Sequence, residues 1–192
     1  MPVELDRAPS ALPLCPDELH SRRMDLRPLD ADALDALAAG DQTRLEAAAG
    51  AQFPRPLLPL EHFADYLDLF REQMRRPRPE DVWWFWALVV RGAGEAAGIV
   101  GLPGGPDDAG RLSVGYAVYP PHRGRGYASE AVEAVVAWAL RQPGIMAVRA
   151  TVGVGNAASL RVATKAGMRA VGAGRDAVEG QVVRFERRRV SA

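Results

Sequence analysis

The chain predicts a single α/β (α+β) domain built on a mixed, mostly antiparallel sheet of about six to seven strands flanked by helices. Three observations carry this. Short β-branched and aromatic runs alternate with segments of helical period. A strand enters a glycine-punctuated loop that opens directly onto a long amphipathic helix within residues 114–141. With 192 residues, 48% apolar and 25% charged, the chain is long enough to bury a core without disulfides or metal, and its composition is ordinary for a globular domain. Residues 1–21 read as a Pro-rich N-terminal arm and residues 22–192 as the domain.

Each element has a local reason. Residues 1 to about 20 carry Pro2, Pro9, Pro13 and Pro16 without sustained periodicity, which suits a surface-draped arm with no catalytic role. Residues 24–29 alternate as a first strand, after which Asp30 or Asp32 caps a helix that carries Leu34 and Leu37 and stops at Gly40. Residues 50–59 are rich in proline, and the segment 61–74 sets Phe63, Tyr66, Leu67 and Phe70 on one helical face that packs or lines a pocket. Residues 82–90 are too aromatic and β-branched for an exposed helix; they predict a strand, a turn at residues 92–94 and a hairpin partner at 97–102. Trp83, Trp84 and Trp86 in this run read as core filling in preference to a substrate floor.

A loop with Asp107 and Asp108 leads into a strand at 112–119, and a helix over 127–141 follows, buried along Val132, Val135, Val136 and Ala139 and bounded by Pro143 and Gly144. The spacing then predicts a strand at 147–152, a helix at 157–166, a short strand at 169–172 and a last strand at 181–187. A crossover through the long helix makes the strands on either side of it parallel neighbours.

The junction at residues 114–131 is built to hold an anion. Gly124 and Gly126 let the main chain turn and expose its N–H groups, the helix beginning at Tyr127 aims its positive dipole end at the same spot, and Arg123 and Arg125 add charge. A pyrophosphate satisfies such donors, although the Lys-Ser/Thr of a P-loop is absent. The bland reading of the two glycines is a strand end and a helix start. For Asn156 and Ser159 it is a helix cap and a surface hydroxyl.

Two motifs narrow the reading. Arg123, Gly126 and Ala128 fit Arg/Gln-x-x-Gly-x-Gly/Ala after a strand ending Tyr-Ala-Val-Tyr-Pro, and downstream stands Asn156-x-x-Ser159-x-x-Val162-x-x-Lys165-x-Gly167-Met168. From about residue 22 to 189 the chain resembles the GNAT superfamily of acyl-CoA-dependent N-acyltransferases, and its opening is similar to the RimJ/RimL-like branch. The resemblance implies acetyl-CoA as co-substrate. Its pyrophosphate falls to Arg123, Gly124, Arg125, Gly126, Tyr127 and Ala128, and its pantetheine arm to a splayed strand at Tyr116, Ala117 and Val118, with Asn156 and Ser159 on the other side. The implied reaction is direct attack of a primary amine, on a protein N-terminus or a small molecule, within a ternary complex.

The same resemblance assigns roles and exposes departures. The backbone N–H of Val118 becomes the oxyanion donor. Many relatives protonate the leaving thiolate with a tyrosine whose position here is Ala163; the RimJ/RimL-like resemblance implies Ser159 as the candidate acid instead. Many also carry a glutamate base ten residues before the loop arginine; here that position is Ser113, a candidate for ordering water, with Glu61, Asp65, Asp176 and Glu179 as other proton exits. A lysine must spend about 4.6 kcal/mol to become neutral at pH 7 and an α-amine only about 1 to 1.4, so a weak base leans toward α-amines. The rival reading is a non-catalytic module that binds and senses acyl-CoA.

Other classes are disfavoured. Formal charge is zero, from 24 basic and 24 acidic residues, so nucleic acid and anionic membranes are not expected partners, and the run Arg187-Arg-Arg189 reads as a solvated strand end. Cys15 is the only cysteine, which fits a reducing compartment. The longest apolar run, residues 82–90, is too short to span a bilayer. His20, His62 and His122 lack metal-ligand spacing and read as structural or solvent-facing, so no metal is expected. The expectation is a cytoplasmic monomer or homodimer.

Overall fold

The structure, a computed structural model, describes residues 18–55, 57, 84–177 and 179–190. After the two-residue β1 (Leu19–His20) and β2 (Met24–Pro28), α1 spans Ala31–Ala39. Asp30 is its cap, accepting from the amide of Ala33 at 2.8 Å, and Gly40 closes it in the left-handed region. Leu34 and Leu37 are buried, as their spacing predicts. Helix α2 (Gln42–Ala49) is not among the predicted elements; it buries only Leu45 and Ala49, too few apolar positions to mark a period, and is held by caps at Asp41 and Gly50.

Strands β3 (Trp84–Val90) and β4 (Ala96–Leu102) form the expected hairpin. Next come β5 (Arg111–Ser113), β6 (Gly115–Val118), a 3-10 turn at Pro120–His122 and α3 (Tyr127–Ala139). The chain continues through β7 (Ala147–Gly153), α4 (Ala157–Lys165), β8 (Arg169–Asp176) and β9 (Gly180–Arg188). Trp83 and the helix predicted at 61–74 lie outside the described residues.

The class is as predicted, mixed and mostly antiparallel, but the strands form two sheets. One runs β1-β2-β3-β4-β6 with antiparallel neighbours throughout, and the other runs β5-β7-β9-β8. The predicted strand at 112–119 divides at Val114. Its first part follows β7 in parallel, as the crossover through α3 requires, and the amide of Val114 still donates to the carbonyl of Arg149 at 2.8 Å. From Gly115 onward the chain follows β4 instead. That division and β1 give two strands more than the seven segments read from the sequence. Strand β8 also outruns its prediction: residues 173–176, Ala-Gly-Arg-Asp, have little strand propensity of their own, and pairing with β9 holds them extended.

The first sheet separates two cores. Trp84, Trp86 and Leu88 face α3, where Trp138 meets both indoles edge-on at 5.1 and 5.4 Å, while Phe85, Ala87 and Val89 face α1 and α2. The two described tryptophans of the cluster are therefore core. Gly98 permits a close approach of β4 and β6, because a Cβ there would lie 2.2 Å from the carbonyl oxygen of Ala117.

Candidate active site

The site begins with one strand edge. Across the β4–β6 ladder, Gly98 faces Val118 and Val100 faces Tyr116, and the amide of Tyr119 bonds Ala97 at 2.9 Å. Since amides alternate along an antiparallel strand, those of Tyr116 and Val118 point away from β4. Strand β6 is the last of its sheet, and β7, on that side, pairs with β5 only as far as Ser113 and Arg149. The outer edge of β6 thus borders a gap between the sheets. The carbonyl of Val118 accepts from Arg123 Nε at 3.0 Å, and its N–H faces the gap.

Beyond the 3-10 turn, Gly124 (φ 75°) and Gly126 (φ 82°) adopt the left-handed backbone that other residues rarely tolerate. Gly126 is the N-cap of α3 and, having no side chain, does not cap the amides of the helix's first turn. Together with the dipole of a 13-residue helix this makes an anion cradle. A cleft of about 450 Å³ opens beside it, between β6, the loop and α4.

Most of the predicted residues meet there. Tyr116, Ala117, Val118, Arg123, Gly124 and Gly126 line the cleft, as do Tyr127, Ala128, Asn156 and Ser159. Arg125 does not line it; its carbonyl is turned to Arg23. Ser113 lies outside the cleft, exposed on β5 opposite Arg149. Sequence reasoning missed Arg161 and gave Lys165 only as a motif position without a site role; both add cationic charge from one face of α4 and could have been found by their i, i+4 spacing. His122 also lines the wall, with its side chain only 11% exposed. Its Nδ1 is buried without a partner among the described residues.

The α4 wall joins to β6 through side chains. Asn156 Oδ1 caps α4 by accepting from the amide of Ser159 at 3.0 Å, so the plain capping role is real and its amide nitrogen is what remains to offer a ligand. The Tyr116 hydroxyl donates to the carbonyl of Ser159 at 3.3 Å. Burial raises the Tyr116 phenol above its ordinary range, against the opposing bond to Ser159, so it stays protonated as a donor. Ala163, one turn beyond Ser159, is wholly buried.

Glu186, across β7 from Ser113, is a poor base. Hydrogen bonding from Arg149, with Arg188 beside it, holds Glu186 below the usual carboxylate range despite its burial. Asp176 accepts from the amide of Glu179 at 3.1 Å, and Glu61 and Asp65 lie outside the described residues. Glu18, His20 and Asp25 come together within 4.8 Å at the β1–β2 end, but the same oxygen of Asp25 already accepts from His20 and Arg91. No described helix is long and apolar enough to cross a membrane.

Comparison with known proteins bears on the family and the fold. The acetyltransferase (GNAT) domain family matches residues 23–169. A Bacillus subtilis (strain 168) protein named uncharacterized N-acetyltransferase YjdG is 25% identical over 152 residues, covering 78% of this chain and 88% of that protein. A Salmonella typhimurium acetyltransferase that modifies the N-terminal serine of ribosomal protein L7/L12 superposes with a TM-score of 0.59 at 18% identity, over 88% of this chain and 96% of its own. A spermidine N-acetyltransferase chimera from Vibrio cholerae and hSSAT gives 0.60 at 13% identity, over 87% and 96%. At these identities the likeness to the two structures concerns the fold.

Proposed function

We propose that this chain, which belongs to the GNAT acetyltransferase family and draws its acyl group from acetyl-CoA, moves that group by direct attack to the α-amine of a polypeptide or small molecule. The observation that carries the reading is the outer edge of β6, whose Val118 N–H faces a gap adjoining the anion cradle of α3. The diphosphate sits on the amides at residues 124–128, and the pantetheine arm runs along β6, as a strand would. The neutral amine attacks the thioester carbon to form the C–N bond, the resulting tetrahedral oxyanion is held by the Val118 N–H, and its collapse breaks the C–S bond. The amine's proton leaves to water, the sulfur takes a proton from Ser159, and Ser159 regains one from solvent.

Acceptor class follows from the weak base. With Ser113 where a carboxylate would stand and Glu186 engaged by two arginines, little help is given to deprotonation, which favours amines of low pKa. The Salmonella enzyme, which modifies an N-terminal serine, supports a protein N-terminus, and the spermidine N-acetyltransferase supports a small polyamine. Resemblance to the RimJ/RimL-like branch favours the first.

Kinetics with paired peptides, one with a free α-amine and one blocked there but carrying lysine, test this; a strong lysine preference sinks it. Gly126→Asp should abolish CoA binding by placing a carboxylate at the phosphates. Ser159→Ala should bind CoA normally and lose roughly 100-fold in kcat, the lower end of general acid catalysis. An unchanged rate removes Ser159 from the role.

A further inference from the structure

The turn between β1 and β2 reaches across to the cradle, and Arg23 makes the most contacts there. Arg23 Nε donates to Glu130 Oε1 at 2.7 Å, and its Nη2 donates to the carbonyl of Arg125 at 2.7 Å. The guanidinium also lies 4.7 Å from the centroid of the Tyr127 ring. Ser21 Oγ donates to the other Glu130 oxygen at 3.3 Å, and Arg22 approaches the same carboxylate at 3.7 Å. Arg23 is itself held by the sheet, where its carbonyl accepts from the amide of Arg91 at 3.0 Å.

These contacts bear on the direction of one amide. The peptide unit joining Arg125 to Gly126 is planar and trans, so its C=O and N–H point to opposite sides. With the C=O turned toward Arg23, the Gly126 N–H is turned away from it, toward the side where Gly126 borders the cleft and Arg23 does not. Charge acts in the same sense. Glu130 stands in the first turn of α3, where an unneutralised carboxylate would repel a phosphate, and Arg23 pairs with it. A β-carbon at position 126 would stand 3.3 Å from Arg23 Nη2, so the glycine leaves room for the guanidinium as well as for the turn.

We infer that Arg23 is a positioning residue for the diphosphate: it never touches the cofactor, but by holding the Arg125 carbonyl and neutralising Glu130 it aims the Gly126 amide into the cleft. The inference rests on the proposed acetyl-CoA site and adds what orients it. Rotation of that peptide would present a carbonyl oxygen where an N–H is needed, exchanging attraction for repulsion at the phosphate.

Calorimetry with CoA on the full chain tests it. Arg23→Met should weaken CoA about tenfold or more, the low end for a charged hydrogen bond, while kcat at saturating acetyl-CoA stays within about twofold because only binding is touched. Arg23→Lys can keep the Glu130 pair but cannot serve the carbonyl with the same fork. It should therefore melt near the wild-type temperature yet still bind CoA more weakly, and it covers the case in which Arg23→Met does not fold. Glu130→Gln leaves Arg23 able to hold the carbonyl and should stay within about threefold of wild type. As a readout apart from turnover, the Gly126 amide resonance should shift with inorganic pyrophosphate in wild type and not in Arg23→Met. Wild-type CoA affinity in folded Arg23→Met and Arg23→Lys overturns the inference, as does a Glu130→Gln loss matching Arg23→Met. A wild-type chain that takes up no CoA overturns the underlying site instead.

Discussion

Tyr119 shows how single residues divide between packing and chemistry. Its side chain is wholly buried between β6 and the 3-10 turn, its ring meets Phe53 edge-on at 6.3 Å, and its hydroxyl has no partner among the described residues. Burial pushes the phenol far above its ordinary range, so it is neutral at any working pH. A buried hydroxyl without a partner costs stability, so Tyr119→Phe should raise the unfolding free energy by about 1 kcal/mol, measured by urea denaturation; a loss of that size would mean the hydroxyl has a partner after all. Gly126 and Asn156 were legible in the sequence because their chemistry is local, a positive φ and a helix cap. The part played by Arg23 was not legible, because its partners Arg125 and Glu130 stand more than a hundred residues away.

Among elements, the second sheet carries the clearest pH signature. Glu186 on β9 is 4% exposed and accepts from Arg149 on β7 and Arg188 on its own strand. Those bonds depress its pKa in the folded state, so the folded chain binds fewer protons than the unfolded one. The contribution is fully present above the ordinary glutamate value of about 4.3 and is lost as pH falls through the lower folded value. Glu186→Gln should therefore cost about 2 kcal/mol at pH 7, and its unfolding midpoint should converge on that of wild type in acid. A constant gap across that range would show that the charge is not what stabilises the strand. Helices α1 and α3 and the β3–β4 hairpin were readable because each has a buried period and punctuated ends. Helix α2 and the second half of β8 were not, since packing and pairing, rather than their own composition, hold them in place.

At the scale of the whole molecule, the decisive feature is the parting of two sheets at Val114. CoA bound in the cleft would touch β6 of one sheet and α4, which packs beside β7 of the other, so the ligand should tie the halves together and bind only the folded chain. At a hundred times its Kd, CoA should add about 2.7 kcal/mol, or a rise in Tm of roughly 5 to 10 °C for a chain of this size. A melting temperature indifferent to CoA, with inorganic phosphate as control, would count against the site. From the sequence by itself came the class of fold, the glycine turn that frees amides at the start of α3, the cap at Asn156 and the absence of a carboxylate at position 113. All are set by the chemistry of residues close together in the chain. Only the tertiary structure decided that the strand at 112–119 parts at Val114 between two sheets, that Ser113 falls outside the cleft, and that Arg23 braces the cradle. Strand partners and peptide orientation are fixed by hydrogen bonds between distant segments, and no local pattern records which distant donor a carbonyl will meet.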